Sequence, residues 1–524
     1  MHAIEIVILL LVFVLLLALV GNKLKIVLPL LLTCAGLGVG LIPGLPVVAL
    51  EPSVVLLVFL PPILYGAAWY THWFSFKQIL EPVLVLALGL VLVTSIGVAY
   101  VSVWFIPGFT LSTGFLLGAI ISPPDAVAAT AVLKKLPVPK KVMAVLEGES
   151  LINDASALVA FQLSIVAISL GQFDVQTSIS RFLLLSAGGV GIGLAVGCGS
   201  YYLHKIGHFE TALETVLTFL TAYASFIIAE KLHVSGVLAT VTAGLIMGQK
   251  QSKLHTPEMR IQAVAVWDFV QVLLHSLIFI LIGLQLPVII RHLPQQSLPT
   301  LAGYSFLITN AIVAIRFLYI FGIDAISNFI RRKLQKQPIF SSKKHTAILA
   351  FTGMRGVVSL AAAFSIPVTL VDGKDFPNRD MILFISFGTI FFTLVVQGFL
   401  LPYLVKWLKL DAEKSARASL SQVRSQMAKA VAIHLRRVIA TQKIQTSTAE
   451  KIMDWYTHQI QLHAKAADTV EEKQLVATLL TEVMQAKRNY LHSLRMANKI
   501  EPELYHQLEH EIDLEAYATQ RKWT

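Results

Sequence analysis

Apolar runs of about 18 or more residues recur along most of this 524-residue chain and constrain its fold more than any other feature. A run of that length spans a bilayer as a helix, because an α-helix satisfies its own backbone hydrogen bonds inside lipid. The runs lack the alternation typical of membrane β-barrels. Only 14% of the residues are charged, against about a quarter in soluble domains. We therefore predict an all-α polytopic protein whose main partner is the lipid bilayer.

The hydropathy pattern predicts about thirteen transmembrane helices within residues 1–410, and the loop charges predict their orientation. Seventeen Lys and Arg residues fall in the loops on one side and five in those on the other. Because cytoplasmic loops carry the basic excess, we expect the N-terminus outside and the C-terminus in the cytoplasm, at the plasma (inner) membrane. The same loops account for the net charge of +11, so we predict no nucleic-acid partner.

Residues 411–524 lack a spanning run and differ in character from the rest of the chain. Apolar residues recur there at steps of three and four, which indicates amphipathic helices. One such stripe comprises Ala416, Leu420, Val423, Met427, Val431, Leu435 and Val438, and a second comprises Val476, Leu480, Val483, Tyr490 and Leu494. We predict a helical cytoplasmic tail that packs on itself or on the basic loops, with a regulatory or dimer-contact role as the alternative.

A few ionisable residues lie inside predicted spans, where each costs about 2.5–3.5 kcal/mol on insertion scales. Arg316 is close to the cytoplasmic end of its span, so its side chain is expected to reach the interface by snorkelling. Asp125, Asp154 and Arg355 lie too deep for that explanation. These three residues are therefore candidates for a functional site.

Two of the spans carry residues that interrupt a helix. Pro123 and Pro124 remove two backbone donors beside Asp125, and glycines flank Arg355 in the segment FTGMRGVVSLAAAFSIP. Irregular backbone at membrane depth is tolerated where it lines a cavity, which makes the freed carbonyl of Ser122 a potential cation ligand. These are the fifth and the twelfth predicted spans. Because they are an odd number of spans apart, they must cross the membrane in opposite directions, which is typical of transporters built from inverted repeats.

The sixth span supplies further oxygen ligands through the segment GESLINDASALV. Ser150 and Asp154 are four residues apart and share a helix face, with Asn153 on the adjacent sector. Together with Asp125 they form an all-oxygen set, which suits a hard monovalent cation. A site that binds either a proton or a cation, but not both, is the core of an exchanger. We identify no enzymatic nucleophile–base set and no cofactor site.

Four segments resemble signature segments of the monovalent cation/proton antiporter family, which includes NhaP-type proteins and sodium/proton exchangers. They are SPPDAVAATAV, GESLINDASALV, LIFILIGLQLP and GMRGVVSLAAA. The resemblance extends over about 400 residues in the same order. It implies two inverted six-helix repeats, two discontinuous helices that cross near the ion site, and a homodimer.

The resemblance also implies roles for individual residues. Asp154 corresponds to the ion-binding aspartate, Asn153 to its neighbour, Asp125 to the aspartate of the unwound helix, and Ser150 to the serine ligand. An asparagine–aspartate pair implies electroneutral exchange.

The family's buried ion pair corresponds to Glu149 and Arg355. Two positions depart from the family pattern: Gly66 replaces an acidic residue, and Pro124 replaces a threonine.

These observations predict a secondary antiporter, not an enzyme, that exchanges sodium, or else lithium or potassium, for protons in pH homeostasis. The cation and the proton would compete for Asp154, with Asp125 supporting it either as a second cation-binding carboxylate or by ordering Asn153. A potassium/proton antiporter of the same fold is one alternative. A cation channel with an acidic cavity is the alternative from a different class.

Overall fold

The computed structural model separates the chain into two compact units, Met1–Ala412 and Glu413–Thr524. The described part of the first unit comprises residues 3–24, 28–42, 52–71, 77, 79–134, 136–170, 175–207, 209–254, 257–291, 297–333, 342–370 and 373–409. In the second unit it comprises residues 433, 484–485, 487–491, 508, 511–512 and 514–516.

The first unit is built from helices. In chain order they are α1 (Ala3–Leu24), α2 (Leu28–Gly40), α3 (Pro52–Tyr70), α4 (Leu80–Phe105), α5 (Leu111–Ile121), α6 (Ala126–Leu133), α7 (Lys140–Leu170), α8 (Val175–Gly207), α9 (Thr211–Lys231), α10 (Gly236–Leu254), α11 (Pro257–Arg291), α12 (Leu298–Lys333), α13 (Lys343–Phe351), α14 (Val357–Phe364) and α15 (Arg379–Trp407). One isolated bridge, Thr369 to Asp375, is the only β-pairing within the described ranges.

Eight helical segments are long and apolar enough to cross a membrane: 80–105, 111–133, 141–169, 180–207, 211–231, 259–285, 298–329 and 379–407. Shorter apolar helices occur at 8–21, 28–40 and 56–70. The prediction of an all-α, multi-pass membrane protein is confirmed. The count of thirteen spans and the inverted repeats stay predictions.

The helices of the first unit pack in two sets. In one set, α2 lies against α11, while α10 contacts α3, α8 and α9. In the other, α4 contacts α5 and α12, α5 contacts α7, and α12 contacts α13 and α15. The two sets also contact each other, through α11 with α15, α3 with α14, and both α8 and α10 with α7.

Small residues determine how closely α4 and α5 approach. A methyl group added at Gly114 would lie 2.8 Å from the Cα atom of Ala99, and one at Gly118 would lie 2.5 Å from the Cα atom of Ser95. Glycines at a spacing of four allow two helix backbones to touch, which is how membrane helices gain packing contacts without a hydrophobic driving force. This contact fixes α5 immediately before its interruption.

The described residues of the second unit are helical. The first predicted stripe, 416–438, lies entirely outside the described residues, and so does most of the second. Within the second stripe, Tyr490 is exposed whereas its neighbour Leu491 is buried. The tail's cytoplasmic location and role stay predictions.

Candidate ion-binding site

The first interruption separates α5 from α6 at Ser122–Asp125. The adjacent prolines cannot donate backbone hydrogen bonds, so the α5 ladder ends there. Asp125 then caps α6: its Oδ1 atom accepts from the backbone N–H groups of Val127 at 2.8 Å and Ala128 at 3.4 Å. A carboxylate is favoured at this position because it faces the positive end of the helix dipole.

The second interruption separates α13 from α14 at Thr352–Gly356. Gly356 precedes α14 and provides no side-chain cap. A methyl group added to Gly356 would overlap the carboxylate of Asp125. The glycine is therefore required for the two interruptions to come together.

Direct hydrogen bonds join the two interruptions. The Asp125 N–H donates to the Met354 carbonyl at 2.6 Å. In return, Arg355 donates from Nε to the carbonyl of Ile121, at the end of α5, at 2.9 Å. Its guanidinium also donates to the Gly353 carbonyl. The backbone N–H of Arg355 donates to Thr393 Oγ1 at 3.1 Å.

These contacts place a side chain of the favourable charge at each of the four helix ends. The carboxylate of Asp125 caps the start of α6 and lies beside Gly356 at the start of α14. The guanidinium of Arg355 binds the carbonyls of Ile121, the last residue of α5, and Gly353, just beyond α13, where helix dipoles are negative. One acid and one base thus lie at all four helix ends.

Helix α7 presents its polar residues to this crossing. Ser150 Oγ accepts from the backbone N–H of Ala126 at 3.3 Å, which places it at the start of α6 beside Asp125. Asp154 is partly buried and lies close enough to Asp125 for the two carboxylates to interact electrostatically. The structure thus brings together the predicted residues Asp125, Ser150 and Asp154. Ser122 is buried at the end of α5, where its hydroxyl donates to the Ala119 carbonyl.

Two side-chain oxygen atoms of the candidate site are without a donor among the residues that the structure describes. The buried Oδ2 of Asp125 and Oδ1 of Asn153 have no hydrogen-bond partner in the described part of the chain. With the Asp154 carboxylate, they provide the two carboxylates and one amide oxygen that a hard cation would bind. Among the described residues no group of three or more His, Cys, Asp or Glu side chains could hold a metal ion.

The buried ion pair differs from the predicted one. Glu149 is fully buried and accepts from both terminal nitrogens of Arg316, at 2.6 and 3.0 Å. Arg316 also donates to the Leu349 carbonyl. The pairing of Glu149 with Arg355 was therefore wrong, and so was the expectation that Arg316 snorkels. Both arginines are 1% exposed, but Arg355 donates to the carbonyls of Ile121 and Gly353 at the crossing, whereas Arg316 binds Glu149.

The Glu149–Arg316 pair is linked to the crossing through Asn153. Its Nδ2 donates to Glu149 Oε1 at 3.3 Å. This bond fixes the amide and leaves the Asn153 oxygen for another ligand. In the sequence, Arg316 is recognisable as a charged residue inside an apolar span. Because it lies near the end of that span, snorkelling explained its charge equally well.

Gly66, one of the two departures from the family pattern, has a counterpart in α11. The Gln271 amide occupies the space where a side chain at residue 66 would lie, and it donates to the Pro62 carbonyl at 2.8 Å. Pro62 lies inside α3, where prolines disturb the backbone ladder. Gln271 thus donates to a backbone carbonyl beside the two prolines of α3.

Comparison with known proteins finds similarity over most of the chain. A family model described as "Sodium/hydrogen exchanger, transmembrane" matches residues 8–407. An Escherichia coli K12 protein named an uncharacterized Na⁺/H⁺ exchanger, YjcE, is 31% identical over 89% of this chain and 89% of its own length. A sodium, potassium, lithium and rubidium/H⁺ antiporter of Bacillus pumilus is 33% identical over 72% of this chain and 57% of its own.

The fold has a counterpart among solved structures. The sodium proton antiporter MjNhaP1 from Methanocaldococcus jannaschii matches with a TM-score of 0.61 at 22% identity, covering 78% of this chain and 99% of that one. The family resemblance of the four sequence segments is thereby confirmed. The chain belongs to the sodium/hydrogen exchanger family.

Proposed function

We propose that this protein is a secondary antiporter that exchanges sodium, with lithium and potassium as alternative cations, for protons. The observation that carries the proposal is the pair of carboxylates, Asp125 and Asp154, beside the contact between two interrupted helices. Broken helices at membrane depth that expose oxygen atoms to a cavity are typical of secondary transporters. The names of the similar bacterial proteins support cation/proton exchange and leave the choice of cation open.

In this mechanism, Asp154 binds either the cation or the proton. Its carboxylate has no hydrogen-bond partner in the described ranges, so it is available to both. The oxygens of Asp125 and Asn153 complete the cation's coordination, and Ser150 and the Ser122 carbonyl are further candidate ligands. Because the cation and the proton compete for one group, each must leave before the other binds, and their movements are coupled.

Electroneutral exchange follows if one sodium ion replaces one proton on Asp154. Asp125 caps α6 and lies beside the start of α14, so in this mechanism Asp154 is the group that the cation and the proton share. The Glu149–Arg316 pair carries no net charge and holds Asn153. We further propose a homodimer in the plasma membrane, with the N-terminus outside and the tail in the cytoplasm, that serves pH homeostasis.

Dequenching of a proton-gradient dye in everted membrane vesicles tests the proposal. Sodium added to vesicles that contain the wild-type protein should release protons, and Asp154→Asn should abolish the response. Asp380→Asn is a matched control, because Asp380 is half exposed and pairs with Arg379, its neighbour in the chain. Full activity in Asp154→Asn would overturn the role of Asp154.

The same vesicles separate an exchanger from a cation channel. Electroneutral exchange should proceed at an unchanged rate when valinomycin and potassium clamp the membrane potential. A channel would instead carry a current that follows the potential and ignores the proton gradient. Parallel additions of sodium, lithium and potassium identify the cation.

A further inference from the structure

Helix α4 contains a π turn at Val85–Gly89, beside α7 and α12. A π turn widens the helix and disturbs its hydrogen-bond ladder, and such turns occur frequently at functional sites. Here two side chains from other helices donate to its carbonyls. Tyr319 on α12 donates to Val85 at 2.7 Å, and Ser156 on α7 donates to Ala87 at 3.2 Å.

Both donors are close to residues of the candidate ion site. Tyr319 follows Arg316 by three residues, so the two lie on one side of α12. Arg316 holds Glu149, and Glu149 accepts from the Asn153 side chain. The Ser156 hydroxyl lies 3.1 Å from the Asn153 carbonyl and reaches back to the π turn. These contacts form a closed ring through α4, α7 and α12.

Gly89 makes the Tyr319 contact possible. A methyl group at residue 89 would overlap the Tyr319 hydroxyl. The π turn, the glycine and the tyrosine therefore form one fitted unit.

We propose that Tyr319 is a positioning residue for the cation. Its hydroxyl holds the π turn, and the π turn, through Ser156, sets the position of the Asn153–Asp154 segment at the crossing. This inference rests on the proposed exchange function, and it assigns control of cation affinity to a residue that does not touch the cation.

The test is Tyr319→Phe, measured by dye dequenching over a range of sodium concentrations. Loss of one hydrogen bond should raise the sodium concentration for half-maximal exchange by about two- to tenfold. The maximal rate per protein molecule should change less, because the carboxylates remain. Tyr304→Phe is the matched control: Tyr304 lies on the same helix, and no described residue is hydrogen-bonded to its hydroxyl.

Gly89→Ala and Ser156→Ala test the same ring by other routes. Gly89→Ala should raise the half-maximal sodium concentration by displacing the tyrosine hydroxyl, and the double variant with Tyr319→Phe should be no worse than the more affected single variant. Ser156→Ala should raise it in the same direction. If one variant fails to reach the membrane, the other two give the same measurement.

The outcomes separate the two proposals. Absence of sodium-induced dequenching in wild-type vesicles would overturn the exchange function itself. Normal wild-type exchange with an unchanged half-maximal concentration in Tyr319→Phe would overturn the positioning role alone. A lower amount of protein in the membrane with unchanged affinity would also overturn it, since that is the result expected of a purely structural contact.

Discussion

Each of the two interrupted spans has helix ends inside the protein, and the two spans place side chains of opposite charge at these ends. Between α5 and α6, Asp125 supplies a carboxylate and caps the following helix directly. Between α13 and α14, Arg355 supplies a guanidinium, and Gly356 leaves the following helix without a side-chain cap. The difference shows that neither interruption is complete alone, because each provides the charge that the ends of the other require.

The position of Arg355 at the crossing also explains why the molecule needs a second buried arginine. Arg355 is engaged by the carbonyls of the crossing, so Glu149 requires another partner. Arg316 on α12 is that partner, and it also donates a hydrogen bond to the Leu349 carbonyl of α13.

The largest effect is expected from Arg316→Met, which tests whether the two arginines have separate tasks. Leaving Glu149 buried and unpaired should lower the free energy of unfolding by about 3–5 kcal/mol, measured by reversible unfolding in mixed detergent micelles. Glu149→Met in the Arg316→Met background should restore much of the loss. Restoration in the Arg355→Met background instead would show that Arg355 is the partner.

Gly356→Ala tests the close approach of the two interruptions. The added methyl group overlaps Asp125, so stability should fall by about 1–3 kcal/mol, and sodium-dependent dequenching should be strongly reduced. Gly322→Ala on α12 is the control, because nothing lies within 4 Å of its added methyl group. Equal behaviour of the two variants would refute the close contact.

Variants of Asp125 distinguish its role as the cap of α6 from the role of its negative charge. Asparagine caps helices as well as aspartate does, so Asp125→Asn should keep most of the stability, whereas Asp125→Ala should lose about 0.5–2 kcal/mol. Exchange should fall in both, because both half-helix starts lose their negative charge. Wild-type exchange in Asp125→Asn would mean that the charge is dispensable and that the two interruptions are less alike than their geometry indicates.

The smallest effect is expected at Thr393, which holds the second interruption from α15. Thr393→Val removes the acceptor for the Arg355 N–H and should cost about 1 kcal/mol of unfolding free energy. Thr393→Ser keeps the hydroxyl and should restore the wild-type value. A loss in Thr393→Ser but not in Thr393→Val would indicate that packing of the methyl group, and not the hydrogen bond, supports the interruption.

Much of the candidate site could be predicted because its signals are local. Two prolines end a helix wherever it lies, and a carboxylate after them caps the next helix. The spacing of Ser150 and Asp154 places them on one face of any helix. By contrast, Tyr319 looks like an ordinary aromatic residue in an apolar span, and the π turn it holds has no signal in the sequence. Its role depends on Gly89, which is more than 200 residues away.

The sequence by itself determined the membrane-spanning helices, the two places where they break, and the charged residues that belong there, since hydropathy and backbone chemistry act over a few residues. Only the tertiary structure decided which charges meet. Arg316 and Arg355 are both arginines within apolar spans, and nothing in their neighbours indicates which one faces Glu149. The crossing of the broken helices directs Arg355 to the carbonyls of Ile121 and Gly353. The packing of α12 against its neighbours leaves Arg316 to form the ion pair.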